Sequence, residues 1–163
     1  MNDAHYHLVI NHFPIIGTIF GVGILIVGLG LKRTLLQNTA FVLFILSALT
    51  GFLAMYTGEG AEEMVENLPT VGHNIIHEHE ELAEKFVALL YALGALSLVT
   101  LILHNLRNRF AKIAAFLTLG LALLAVVLGK EVGTSGGEVR HTEIRSVSDG
   151  AQELQSAEQE QED

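Results

Sequence analysis

The chain contains no cysteine, which removes disulfides, thiolate metal sites, iron–sulfur clusters and covalent c-type haem attachment together. Charge is scarce as well, 17% of 163 residues against about a quarter in soluble domains. The balance is acidic, net −9 with no basic patch to neutralise phosphates, so nucleic acid is excluded as a partner. No phosphate loop, dinucleotide fingerprint or serine or lysine nucleophile arrangement occurs. A di-iron carboxylate bundle needs a Glu-x-x-His pair on each of two helices, and the chain does not carry two such pairs. Acids within the apolar runs, the mark of proton-coupled transport, are missing too.

What is present is apolar length. Half the chain is hydrophobic, the mean hydropathy is +0.45, and four runs stand out at 8–31, 39–56, 86–103 and 113–129. Each holds about 17 to 24 residues without Lys, Arg, Asp or Glu. At about 1.5 Å per residue, that reaches across a hydrocarbon core of roughly 30 Å. Buried helices of a soluble bundle are the competing reading, but no run carries a polar stripe broad enough to face water. The predicted fold is all-α: an integral membrane up-down four-helix bundle over residues 1–145, with helices 2 and 3 extended beyond one face. The opening MNDAHYH lacks the positive region of a cleavable signal, so the first run is expected to stay as a helix.

Charge asymmetry predicts orientation. With four spans, both termini and the 57–85 connection share one side; the loops near 32–38 and 104–112 share the other. The second side carries Lys32, Arg33, Arg107, Arg109 and Lys112 and no acid, whereas all 18 acids lie on the first. Short loops rich in Lys and Arg stay cytoplasmic. The expected location is therefore a bacterial inner membrane, multi-pass, with both termini periplasmic. AEEMVENL within 57–70 reads as a short helix capped by Thr57 and stopped by Pro69, and a long helix is expected from about Val71. The glycine-rich 130–145 reads as a fold-back over the outer face, and 146–163 as a disordered acidic tail.

Small residues thread the spans: Gly17, Gly21 and Gly28 on the first, Ser47, Gly51, Ala54 and Gly58 on the second. They suit close helix packing in lipid. They are equally compatible with clearance for a flat cofactor, in which Gly17 and Gly21 would take part.

Histidine is the compositional oddity, eight in all, with His5, His7, His12, His73, His77, His79 and His141 on the acidic side and His104 alone on the other. Helical spacing sorts them. His73, His77, Glu80, Glu81 and Glu84 share a wet, charged face. Gly72, Ile76, His79, Ala83, Phe86 and Leu90 share an otherwise apolar stripe, which aims His79 into the bundle with Ala83 leaving room one turn below. His12 lies on a similar stripe with Val9, Ile16, Ile19 and Gly23, next to a helix start or bend at Pro14. His7 aligns instead with Asn11, Thr18 and Gly21, roughly 140° from His12.

In an up-down bundle the first and third helices are parallel and diagonal across the core. His12 and His79, both near the outer ends, are thus placed for bis-histidine ligation of a haem b, which needs no cysteine. His7 and His141 are the best candidates for a second haem; spacing does not fix the pairing among the four. A lone interior histidine can equally be a satisfied core residue, and His73 with His77 at i, i+4 could bind zinc or copper beside Glu80 or Glu81.

Four stretches carry a resemblance. HLVINHFPIIGT (7–18), TGEGAEEMVENLP (57–69), HEELA (79–83) and GGEVRHTEIR (136–145) resemble the signatures of an uncharacterised bacterial family of small four-span membrane proteins. Members of that family, a domain of unknown function, look like b-type haem or electron-transfer proteins. Carried over residue by residue, the resemblance picks His7, His12, His79 and His141. The reading that follows is a membrane b-type cytochrome with one or two haems near the periplasmic face, exchanging electrons with a quinone or a periplasmic redox protein. It favours a carrier over an enzyme; an enzyme here would be a haem-dependent oxidoreductase. The partners it implies are the lipid bilayer and that redox partner, with a homodimer as the assembly. The alternative is a zinc- or copper-binding membrane module or sensor built on the outer His/Glu cluster.

Overall fold

A computed structural model describes residues 2–65, 73–141 and 144–145. Its elements are α1 (Asp3–Ile10), α2 (His12–Gly30), α3 (Thr34–Val65), α4 (His73–Asn105) and α5 (Ala111–Arg140). Four helical units, Asp3–Gly30, Thr34–Met64, His73–Asn105 and Ala111–Val139, are long and apolar enough to cross a membrane. The chain is an all-helical, multi-pass membrane protein of four spans, numbered here in chain order. Each span packs on its sequence neighbours, and span 1 also packs on span 4, so spans 1 and 3 are diagonal.

Composition of the surface is inverted relative to a soluble protein. Phe20, Leu35, Phe52, Phe116 and Leu124 are exposed, as lipid-facing side chains should be. Inside, every span contributes a line at alternating spacings of three and four. On span 1 this is His7, Asn11, Pro14, Thr18, Gly21, Leu25 and Gly28; on span 3, Ile76, His79, Ala83, Phe86, Leu90, Leu93, Ser97 and Thr100. On span 4 it is Ala111, Ala115, Thr118, Ala122, Ala125, Gly129 and Val132. A mean spacing of 3.5 is the seam of a bundle whose helices cross at shallow angles.

The two ends differ. At the basic end the connections are tight: Lys32 and Arg107 adopt φ of 53° and 51°, the left-handed position after a helix. Arg33 N–H donates to Gly28 O and Asn108 N–H to Leu103 O, both at 2.9 Å, closing matched Schellman turns. Spans of 28 to 33 residues measure roughly 42–50 Å, well beyond a hydrocarbon core. With short turns at the basic end, the excess length gathers at the acidic end, where seven of the histidines lie.

Two local expectations need correction. The 130–145 stretch does not fold back at Gly129; α5 runs on to Arg140. Only the following residues turn back, with Arg145 Nε donating to Glu138 O at 2.8 Å and Nη2 to Val139 O at 3.2 Å, an arginine cap on the last turn. Likewise 57–65 is no separate helix but the continuation of α3, with Thr57 in its interior. The bend expected at Pro14 is present: the first span is broken at Asn11, because Pro14 has no N–H for Ile10 O and its ring crowds that carbonyl. The expected stop at Pro69, the start near Val71, the position of Gly72 and the acidic tail lie outside the described residues.

Candidate functional site

The acidic ends of all four spans meet around two half-buried imidazoles, His7 on α1 and His79 on α4. His7 Nδ1 lies 3.0 Å from Ala54 O on α3, with Thr57 Oγ1 at 3.4 Å. A carbonyl can only accept, so the proton of His7 sits on Nδ1. His79 Nδ1 lies 2.9 Å from Ser135 Oγ on α5, whose hydroxyl donates to Val132 O at 3.1 Å. Since that hydroxyl gives its hydrogen to the backbone, His79 Nδ1–H is the donor to Ser135. With Nδ1 protonated, Nε2 of each ring carries the lone pair, and it has no hydrogen-bond partner among the described residues. That is the state in which histidine ligates a metal, with the other nitrogen held by a hydrogen bond that fixes ring orientation.

The rings are also close-fitted. A Cβ added at Gly136 would stand 2.9 Å from His79 Cε1, and one at Gly58 would stand 3.5 Å from His7 Cε1. Each imidazole lies over a glycine of a neighbouring helix. The two rings are near enough for charge on His7 to act at His79. Phe86 and Ile15 pack against Gly129 one level deeper. Asn11, one turn after His7, has a buried Oδ1 without a hydrogen-bond partner among the described residues. A buried carbonyl oxygen left unpaired is costly, and here it stands beside a ligand-competent histidine.

The other predicted site residues fall elsewhere. His12 is exposed, its Nδ1 3.2 Å from Leu8 O, and Val9, Ile16, Ile19 and Gly23 on its stripe are exposed with it. That stripe faces lipid, so the pairing of His12 with His79 across the bundle is not formed. His141 caps the C-terminus of α5 and is exposed. Gly17 and Gly21 offer no slot for a cofactor. A Cβ at Gly17 would lie 2.5 Å from Ser47 Oγ, and Gly21 is covered by the Phe44 ring. Ala83 is half-buried on the inward line below His79.

His73 and His77 are exposed, and His77 approaches Glu81 at 3.5 Å and Glu80 at 3.9 Å as a solvated surface network. Among the described residues no group of three or more His, Asp or Glu is arranged to hold a metal ion. At the basic end, His104 Nδ1 donates to Asn38 Oδ1 at 2.9 Å, and its ring meets Phe41 edge-on.

Ser135, Gly136, Ala54 O and Asn11 were not singled out from the sequence. The signal was available for Ser135 and Gly136, because the three-and-four line of span 4 continues through both turns after Gly129. No family model matches the chain, and neither a curated protein nor a solved structure does. The motif resemblance therefore enters only the reading that follows.

Proposed function

We infer that this protein is a membrane b-type cytochrome, in which His7 and His79 would hold a haem at the acidic end of the bundle. One observation carries the reading. Two half-buried imidazoles on diagonal spans each have Nδ1 committed to a partner and no partner for Nε2 among the described residues. Bis-histidine ligation asks for such a pair and for no cysteine. The glycines beneath the rings and the unpartnered Asn11 oxygen fit a site that closes on a bound group. A haem supplies one-electron chemistry there; the chain supplies ligation, ring orientation and a bundle wall against water.

The excess of Lys and Arg in the loops of the opposite end supports an inner-membrane protein with its histidine end in the periplasm. A haem held there by His7 and His79 would exchange single electrons with a quinone or a periplasmic partner. The absorption spectrum of the purified protein tests this. A reduced-minus-oxidised spectrum with haem b bands and stoichiometric iron is the expected result. A colourless protein carrying stoichiometric zinc or copper would overturn it in favour of the surface His73/His77 cluster.

A further inference from the structure

A groove of about 350 Å³ runs between α3 and α4 near the acidic end, within the roughly 300–1,000 Å³ range of small-molecule clefts. Its walls are two matched stripes, Phe52, Tyr56 and Glu59 on α3 and Glu84, Ala88 and Tyr91 on α4. All six side chains are exposed on the outside of the bundle, so the groove opens sideways to lipid. The helices run antiparallel and close tightly below it, where Gly51 meets Leu90 and Gly94 meets Ala48. Each wall therefore carries a carboxylate at the acidic end and an aromatic ring deeper in the bilayer. Glu80 and Glu81 are engaged by His77 and Lys85, whereas Glu59 and Glu84 have no ion-pair partner among the described residues.

We propose that this groove binds the ring of a membrane hydroquinone. The occupant must be apolar and reach the site through lipid, yet present hydrogen-bond donors at its polar edge, because ionised carboxylates only accept. A hydroquinone offers an aromatic ring and two hydroxyl donors; the oxidised quinone offers acceptors alone, so the reduced form binds better. Its electron acceptor rests on the cytochrome reading above. Oxidation to the quinone would release two electrons and two protons: a haem held by His7 and His79 would take the electrons one at a time, reoxidised between them by the periplasmic redox partner, and Glu59 and Glu84 would take the protons and pass them to water at the acidic end.

The test uses full-length protein in lipid nanodiscs with a photoreactive azido-benzohydroquinone carrying a short alkyl tail. Crosslinks are expected in 52–59 and 84–91, competed by decylubiquinol and not by decanol, and lost in Ala88→Trp, which fills the groove from an exposed position. Charge-assisted hydrogen bonds of this kind are among the stronger ones in proteins. Glu59→Gln with Glu84→Gln is therefore expected to slow haem reduction by decylubiquinol by about tenfold or more, leaving reduction by dithionite unchanged. Labelling spread over the lipid-facing surface, or competition by decanol equal to that by decylubiquinol, overturns the hydroquinone site. Specific labelling in a protein that takes up no haem leaves the site standing and removes the cytochrome reading instead.

Discussion

Spans 1 and 3 each carry a histidine in an apolar stripe near the acidic end, and only one of the two stripes faces the interior. On span 3, Ile76, His79, Ala83, Phe86 and Leu90 are buried or half-buried. On span 1, Val9, His12, Ile16, Ile19 and Gly23 are exposed, while the inward line is His7, Asn11, Pro14, Thr18, Gly21, Leu25 and Gly28. In water an apolar stripe marks the core. In lipid it carries no such information, because acyl chains are as apolar as leucine and helices associate through small and hydrogen-bonding residues. Span 1 follows the lipid rule more closely: on its inward line Leu25 is the one large aliphatic residue, with Val22 buried and Ile15 half-buried beside that line. Span 3 mixes both, with Gly94, Ser97 and Thr100 continuing the line toward the basic end.

The sharpest way to break this contrast is to remove the two histidines in turn. His79→Ala and His7→Ala are each expected to abolish the low-spin haem spectrum. His12→Ala and His141→Ala should leave it intact, since His12 faces lipid and His141 sits at a helix cap. A spectrum lost in His12→Ala and kept in His7→Ala would reverse the assignment of faces on span 1.

Next in size are the residues that hold His79 in place. Ser135→Ala removes the acceptor for Nδ1–H, and loss of such outer partners lowers metal affinity by roughly 10–100-fold. Gly136→Ala brings a methyl to 2.9 Å from the ring and should displace it, while Gly58→Ala meets His7 at an ordinary 3.5 Å and should be tolerated. Haem titration of the three variants checks the order. Equal affinities for Gly136→Ala and Gly58→Ala would show that the ring is not clamped by α5.

These positions also show what the sequence could and could not reveal. Apolar length identified four spans, because none of the four uncharged runs carries a polar stripe that could face water. The ends of the helices were harder to read. GEG after Thr57 and GTSGG after Val132 look like loop, since each helical glycine costs about 1 kcal/mol relative to alanine. Here close approach offsets that cost: Gly58 lies under His7, Gly60 against Asp3, and Gly136 under His79. The glycines that spoil local helix propensity are the ones that admit the site. The inward direction of His79 came from its stripe; that of His7 was hidden, because Asn11, Thr18 and Gly21 resemble a polar edge until the solvent is taken to be lipid.

A packing test of smaller size probes span 1 away from the site. Gly21→Leu must displace the Phe44 ring, and overpacking of this kind costs about 1–3 kcal/mol. Gly23→Leu, two residues on, meets nothing within 4 Å and gains helix propensity, so it should be neutral or mildly stabilising. Unfolding in mixed micelles measures both. Similar losses at the two positions would mean that the Gly23 face is covered, as it would be in a homodimer built on that stripe.

The smallest effect belongs to the deepest polar contact, between Thr100 and Thr118, whose hydroxyl oxygens lie 3.1 Å apart in a fully buried part of the interface between spans 3 and 4. Each hydroxyl also reaches its own helix, Thr100 to Leu96 O at 2.7 Å and Thr118 to Ala114 O at 2.9 Å. A hydroxyl has one hydrogen, so an interhelical bond forms only when one threonine gives up its backbone acceptor. The coupling energy between Thr100→Val and Thr118→Val in a double-mutant cycle should therefore fall at or below the average of about 0.6 kcal/mol for such bonds in membranes. A coupling well above that would show that the hydroxyl pair, rather than the alanine and glycine seam around it, holds spans 3 and 4 together.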